Sequence, residues 1–440
     1  MSTPTSLSTT ALLTASAGSR QTAASHAKRA LLARHHIVAP SLRVADAAAA
    51  AVFGAARVRG PIARDVIAKV TGLSIATVNR QVTALLDAGI LRERADLAVS
   101  GAIGRPRVPV EVNHEPFLTL AVHIGAKTTS IAATDLLGRT LDVVETPTPV
   151  GNQSAALASL AGSASRYLSR WHRRRPLWVG VTAGGAVDSV TGLVDHPRLG
   201  WTGAPVGAVL AETLALPVSL ASHVDAMAGA ELLLGARRRD GRAADAARDT
   251  GTSLYVYARE TVGYALSIGG RVHSPASGPG TIAALPAQSE LLGGSGQLES
   301  TVSDEAVLSA ARRLRIVPSS GPSSTITAVF RAARGGDERA AGLLAERARV
   351  LGEAVALLRD MLNPDDLVVG GQAFTEYPEG FPLVESAFAQ RSVLGARDIR
   401  VTSFGNRIQE AGAGVVSLGG LYADPIGAMR RAQSRRPESA

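Results

Sequence analysis

The sequence predicts a mixed α/β protein in which an N-terminal winged helix-turn-helix precedes a two-lobed body. Three observations carry that prediction. At 440 residues the chain exceeds what one hydrophobic core serves, about 250 to 300 residues. Residues 44–112 read as helix, helix, glycine turn, helix and hairpin. From Phe117 onward strands and helices alternate, and Leu120-Ala121-Val122 leading to Ile131-Ala132-Ala133 is echoed 134 residues later by Leu254-Tyr255-Val256 leading to Ala265-Leu266-Ser267. A hairpin start repeated in this way predicts two related lobes with a cleft between them.

Residues 1–43 hold many small polar residues and no sustained hydrophobic period, the composition of a flexible basic arm. Val52, Phe53 and Val58 then fall near helical spacing within 46–58, before Gly60-Pro61 interrupts. A second short helix fits 62–70, and Thr71-Gly72-Leu73 is a tight turn. A third helix opens at Ser74, a good N-cap residue. On it Val78, Val82, Leu85 and Leu86 form the core stripe, while Ala76, Asn79, Arg80 and Thr83 share the opposite face. Gly89 stops it. Ile90-Leu91 and residues 108–112 form the strands of a wing around the loop Gly104-Arg105-Pro106-Arg107. In the body, residues 237–249 read as a charged, solvated excursion, 337–363 as a long amphipathic helix ending at Asn363-Pro364, and 367–369 as a buried strand. The basic tail, 426–440, reads as frayed.

Composition removes whole classes of function. A hydrophobic fraction of 46% excludes global disorder. Zero cysteines exclude disulfide scaffolds, thiolate nucleophiles, iron–sulfur clusters and Cys-containing zinc sites, and are consistent with a reducing cytoplasm. The greasiest stretch, 199–236, is broken by Pro205, Glu212, Pro217, His223 and Asp225, so no membrane span is expected. The N-terminus lacks a charged start followed by an apolar core, so no secretory signal is expected either. The net charge of +9 is uneven: 1–43 carry +5, 44–111 carry +3, 426–440 carry +3, and 112–425 carry −2. A basic module on a near-neutral body points to a polyanion, most simply double-stranded DNA.

A DNA-reading helix needs one face anchored in its own core and the other presenting short or hydrogen-bonding groups to the major groove. Ser74, Ala76, Thr77, Asn79, Arg80 and Gln81 supply that second face; Arg pairs with guanine edges, and Asn or Gln with adenine. Arg105 and Arg107, held extended by Pro106, suit a narrow minor groove or flanking phosphates.

These head motifs, followed by Val179-Gly180-Val181, Gly184-Gly185-Ala186-Val187-Asp188, Trp201, Leu216-Pro217-Val218, residues 226–235, Asn363-Pro364 and Val368-Val369-Gly370-Gly371, make the chain resemble the ROK family of transcriptional repressors and sugar kinases. The resemblance runs from Gly60 to near Pro425. It implies an actin-like, ribonuclease H-like duplicated ATPase fold behind the winged helix. It also exposes departures. Where kinase members place Asp-x-Gly-x-Thr, this chain has His123-Ile124-Gly125-Ala126-Lys127. Its second phosphate loop, Glu260-Thr261-Val262-Gly263-Tyr264-Ala265, keeps one glycine and gains a carboxylate. Ala221-Ser222-His223 replaces the motif whose Asp is the general base. The family's sugar-binding Glu-x-Gly-His aligns with Thr281-Ile282-Ala283-Ala284, and its zinc-loop cysteines with Glu290, Leu292 and Gln297; Glu299 keeps a carboxylate that members aim at the sugar.

The resemblance therefore implies a non-catalytic, cytoplasmic regulator, a repressor of carbohydrate-related or other metabolic genes, with no cofactor and no metal. It would bind a palindromic operator as a homodimer or homotetramer. A sugar-like effector would meet Gly185, Ser222, His223, Thr281 and Glu299. The alternatives are a sugar kinase with a regulatory DNA-binding head, and a ligand-independent DNA-binding scaffold.

Overall fold

A computed structural model describes residues 36–98, 108–238, 251–275, 278–395 and 397–433. The head contains α1 (Ala48–Arg59), α2 (Arg64–Thr71) and α3 (Ile75–Asp87). Gly72 takes a left-handed conformation, φ +70°, which turns α2 into the Ser74 cap at no side-chain cost. The Ser74 hydroxyl accepts the Thr77 N–H at 3.2 Å. Val78, Val82 and Leu85 are fully buried beneath α1 and α2. The wing strands β1 (Leu91–Glu93) and β2 (Val110–Val112) pair antiparallel, Leu91 opposite Val112. Arg105 and Arg107 lie outside the described residues.

The first lobe follows with β3 (Phe117–Ile124), β4 (Thr128–Thr134), β5 (Thr140–Pro147), α4 (Gln153–Ser169) and β6 (Arg175–Ala183). A three-stranded insert, β7 (Ala186–Asp188), β8 (Leu193–His196) and β9 (Trp201–Ala204), precedes α5 (Val206–Leu214) and β10 (Val218–Ser222). Helix α6 (His223–Arg238) leads to the second lobe: β11 (Thr252–Ala258), β12 (Val262–Ile268), β13 (Arg271–His273) and β14 (Gly280–Thr281). Short helix α7 (Leu298–Val302) packs into the core of the second lobe, while α8 (Asp304–Arg313) and α9 (Ile326–Arg334) form an apolar cluster of their own with the start of α10 (Glu338–Leu362). The chain closes with β15 (Asp366–Gly370), α11 (Gln372–Thr375), α12 (Phe381–Arg391), β16 (Arg400–Val401), α13 (Ile408–Ala423) and α14 (Pro425–Gln433).

The repeat read from the sequence is a duplication of sheet topology. The first sheet runs β10-β6-β3-β4-β5 and the second β16-β15-β11-β12-β13; in each, an antiparallel three-stranded meander is extended by two parallel strands. Between the sheets lie α6 and α13, packed on each other, α13 against the first sheet and α6 against the second. Gly180 on β6 permits this approach: a Cβ there would collide with the Ala413 carbonyl and the Ser417 amide of α13. Both central helices start at the cleft and end under the head. Arg57 of α1 donates to the Leu233 carbonyl of α6 at 2.9 Å and lies over the Tyr422 ring of α13 at 4.4 Å. Val52, Phe53, Val78 and Ile90 of the head thus share one apolar core with Val415, Leu421 and Met429.

Two expectations are corrected. The arm is not featureless up to residue 43, because His36–Arg43 run extended across both lobes. The His36 carbonyl and Val38 N–H bond Val218 on the outer edge of the first sheet, while Leu42 and Val44 bond Val272 and Gly270 at the edge of the second. Leu42 is 6% exposed, seated against Gly229 of α6. An open sheet edge recruits backbone whatever its side-chain period, so hydrophobic spacing could not reveal the strap. Nor does the tail fray from Gly427. Helix α14 continues to Gln433, with Met429 1% exposed against the head; Ala428 and Met429 are two apolar anchors in a basic run, too few to register as a period. The excursion at 239–250 and the arm to residue 35 lie outside the described residues.

Candidate functional site

The head presents the first candidate surface. Because α3 turns Val78, Val82 and Leu85 inward, helical geometry directs Ser74, Ala76, Asn79, Arg80 and Thr83 to solvent, and all five are exposed; Thr77 and Gln81 are half-buried at the flanks. Ser74 is partly committed, since it caps α3 and its hydroxyl donates to Thr77 Oγ1 at 2.9 Å. Nearby cations are more committed still. Arg92 pairs with Glu111 and Glu115, Arg94 with Asp96 and Glu111, and Arg64 with Glu93. Arg64, Arg92 and Arg94 are therefore engaged within the head itself.

The second candidate is a cleft of about 530 Å³ between the lobes, within the range of small-molecule pockets. Its floor gathers three histidines from three elements. His123 ends β3, its Nδ1 2.9 Å from Thr182 Oγ1. His223 opens α6, its Nδ1 3.3 Å from the Ala183 carbonyl, which makes Nδ1 the proton-bearing nitrogen and leaves Nε2 an acceptor with no partner among the described residues. His196 ends β8, 4% exposed, with neither ring nitrogen partnered among the described residues. Gly184 lets the rings converge: a Cβ there would sit 3.2 Å from His196 Nε2 and 3.6 Å from His223 Nδ1. Tyr257 closes the floor, its ring centroid 5.2 Å from that of His223. Gln409, at the start of α13, donates to the Tyr257 hydroxyl at 2.9 Å and accepts from Arg259 at 3.0 Å.

Burial sets the charge of this floor. Desolvation pushes His123 down to about 3 and His223 to about 4, with neighbouring rings and Arg259 adding to the effect on His123, and it lowers His196 as well. All three imidazoles are neutral near pH 7. Tyr257 is pushed up to about 12 by burial and stays a phenol. The floor thus offers neutral acceptors and a hydroxyl, a surface for a ligand bearing O–H or N–H groups rather than charge. Among the described residues, no three His, Asp or Glu side chains are grouped to hold a metal ion. Leu292, at a family zinc position, is packed in the apolar cluster of α8 to α10.

Of the residues singled out from the sequence, Gly185, His223, Thr281 and Glu299 line the cleft and Ser222 does not. Ser222 is buried, and its hydroxyl accepts the Asp225 N–H at 3.3 Å, capping the first turn of α6. Glu299 accepts from Arg198 at 2.8 Å and from the Val262 N–H at 3.2 Å. Sequence reasoning missed His196, Arg198, Tyr257 and Gln409. Only Tyr257 had a usable signal: the 134-residue repeat places it opposite His123, and the two occupy equivalent strand ends.

Residues 119–413 match the model of the ROK family. The chain is 71% identical over 411 residues, 92% of each chain, to a Mycobacterium tuberculosis (strain ATCC 25618 / H37Rv) protein named Transcriptional regulator Rv0485. It is 23% identical over 380 residues, 79% of this chain and 90% of the relative, to the DNA-binding transcriptional dual regulator NagC of Escherichia coli (strain K12). Among solved structures it is similar to a ROK family transcriptional regulator described as a homolog of the E. coli MLC protein, with a TM-score of 0.66 and 22% identity over 87% of this chain and 96% of that one. No helix among the described residues is long and apolar enough to cross a membrane.

Proposed function

The chain belongs to the ROK family, and from that premise we propose that it is a cytoplasmic, sequence-specific DNA-binding transcriptional regulator, a repressor of carbohydrate-related or other metabolic genes. The observation that carries this reading is α3: its apolar stripe is locked into a core continuous with the body, and Asn79 and Arg80 stand outward on the exposed face. A helix anchored so firmly presents base-reading groups in fixed register. Paired heads of a homodimer or homotetramer would then read two half-sites of double-stranded DNA. The cleft binds a small molecule through Gly185, His223, Thr281 and Glu299 without turning it over. In place of the carboxylate and glycine-rich turn that would organise a nucleotide stand His123, Lys127 and Glu260. The kinase reading is tested by a coupled ATPase assay across a sugar panel; turnover dependent on one sugar would revive it.

The regulator reading is tested by footprinting DNA upstream of the chain's own gene across a salt series, against scrambled DNA. A protected, roughly palindromic site that survives physiological salt is the expected result; equal, salt-fragile binding to all DNA sinks the reading. Arg80→Ala should then lose about 1–3 kcal/mol of discrimination at one position of each half-site.

A further inference from the structure

We propose that the cleft is held shut by the chain itself: Glu260 and Glu299 of the second lobe serve as a built-in anionic ligand for Lys127 and Arg198 of the first, in the place a polyanion would have to occupy. Two turns face each other across the mouth, residues 125–127 joining β3 to β4 and residues 259–261 joining β11 to β12. Lys127 Nζ lies 3.3 Å from Glu260 Oε1 and 3.5 Å from Glu305 Oε2 at the start of α8. Arg198, carried on the insert between β8 and β9, puts Nη2 2.8 Å from Glu299 Oε1, donates to the Glu260 carbonyl at 2.7 Å, and sets Nη1 3.8 Å from Glu260 Oε2. Every one of these contacts joins one lobe to the other.

A single exposed ion pair does little; a network is different, because fixing one member orders the rest. Glu299 is already aimed by the Val262 N–H, and Glu260 is only 20% exposed. The charged lining comprises Lys127, Arg198 and Arg259 against Glu260 and Glu299, so cations that would hold phosphates are instead engaged by carboxylates. A nucleotide or phosphorylated ligand must displace Glu260 against charge repulsion. An uncharged ligand reaching the histidine floor leaves the pairs in place. Closure is thus the resting condition of the molecule.

The chain has no cysteine, so paired spin labels can be placed cleanly on Ser154→Cys of α4 and Ser309→Cys of α8, both exposed. In the full-length protein we expect one narrow distance distribution that lengthens in 1 M NaCl, where the screening length falls to about 3 Å, and lengthens at low salt in Glu260→Gln/Glu299→Gln. Inorganic pyrophosphate and MgATP, measured by calorimetry, should show no binding to the parent, while the double variant gains at least about tenfold in pyrophosphate affinity, or about 1.4 kcal/mol. A distribution indifferent both to salt and to the double substitution overturns the proposal, as does a parent that binds pyrophosphate as tightly as the variant. The salt arm needs no substitution, so a variant that fails to fold does not shelter the idea. Footprinting the same samples separates the two readings: operator recognition can fail while the lobes behave as described, and the reverse.

Discussion

The outer face of α3 and the floor of the cleft both hold polar groups open to a ligand, yet they obey opposite physics. Asn79 and Arg80 stand in water and lose nothing by waiting for a ligand. His196 and His223 are buried, and their open nitrogens cost the fold the hydration they have given up. A surface of the first kind is cheap to keep. One of the second kind persists only where its neighbours hold it, as Gly184, Tyr257 and the Gln409 relay do here. The head's specificity can therefore change by substitution alone, whereas the cleft's chemistry is tied to the stability of the body.

The largest test of that contrast concerns the core beneath α3. Phe53 is 1% exposed and lies 6.1 Å, ring to ring, from Tyr422. Phe53→Ala should cost about 3–5 kcal/mol and lower one calorimetric transition shared by head and body; a head that melts separately, leaving the body's transition in place, would break the contrast. The second test is pH. Because burial holds His223 near 4 in the folded chain against about 6.5 when unfolded, the unfolded state takes up the proton first. Stability is fully present above about pH 6.5 and falls as pH drops through 4, by about 3 kcal/mol for this one group. His223→Gln should make denaturant midpoints fall less steeply from pH 7 to 4, the remaining slope belonging to His123 and His196, and an unchanged slope would place the buried charge cost elsewhere. The smallest effect sharpens the α3 side. Ser74→Ala should lose about 1 kcal/mol of stability with the cap, while Ser74→Asp keeps the cap and weakens operator binding by bringing a carboxylate toward phosphate; binding unaffected by Asp would assign Ser74 to capping alone.

Legibility in the sequence followed the same division. Val78, Val82 and Leu85 recur at helical spacing because one side of α3 is dry and the other wet, so both core stripe and reading face could be read off. Helix α10 was legible to within a residue at each end, since Asp337 caps it and Asn363 closes it in a left-handed conformation. The cleft was not. Its residues come from strand ends, turns and helix starts in eight separate stretches, and such junctions have no period. Gly185, Thr281 and Glu299 came from family motifs, while His196 and Arg198 belong to the insert between β7 and β9, which has no counterpart in the second lobe and so no echo in the repeat. Backbone pairing to sheet edges was invisible for a further reason: it uses amides, which every residue possesses.

The strap formed by His36–Arg43 changes what counts as a transplantable piece. Cut between Val44 and Asn113, the head would leave behind the segment that staples its entry point to both sheets and the α14 helix carrying Met429 against it. A chimaera that grafts this head onto another body, or another head onto this one, must carry 36–43 and 425–433 with the donor, because the recombination joints lie in the interior of the old molecule rather than at its visible linkers.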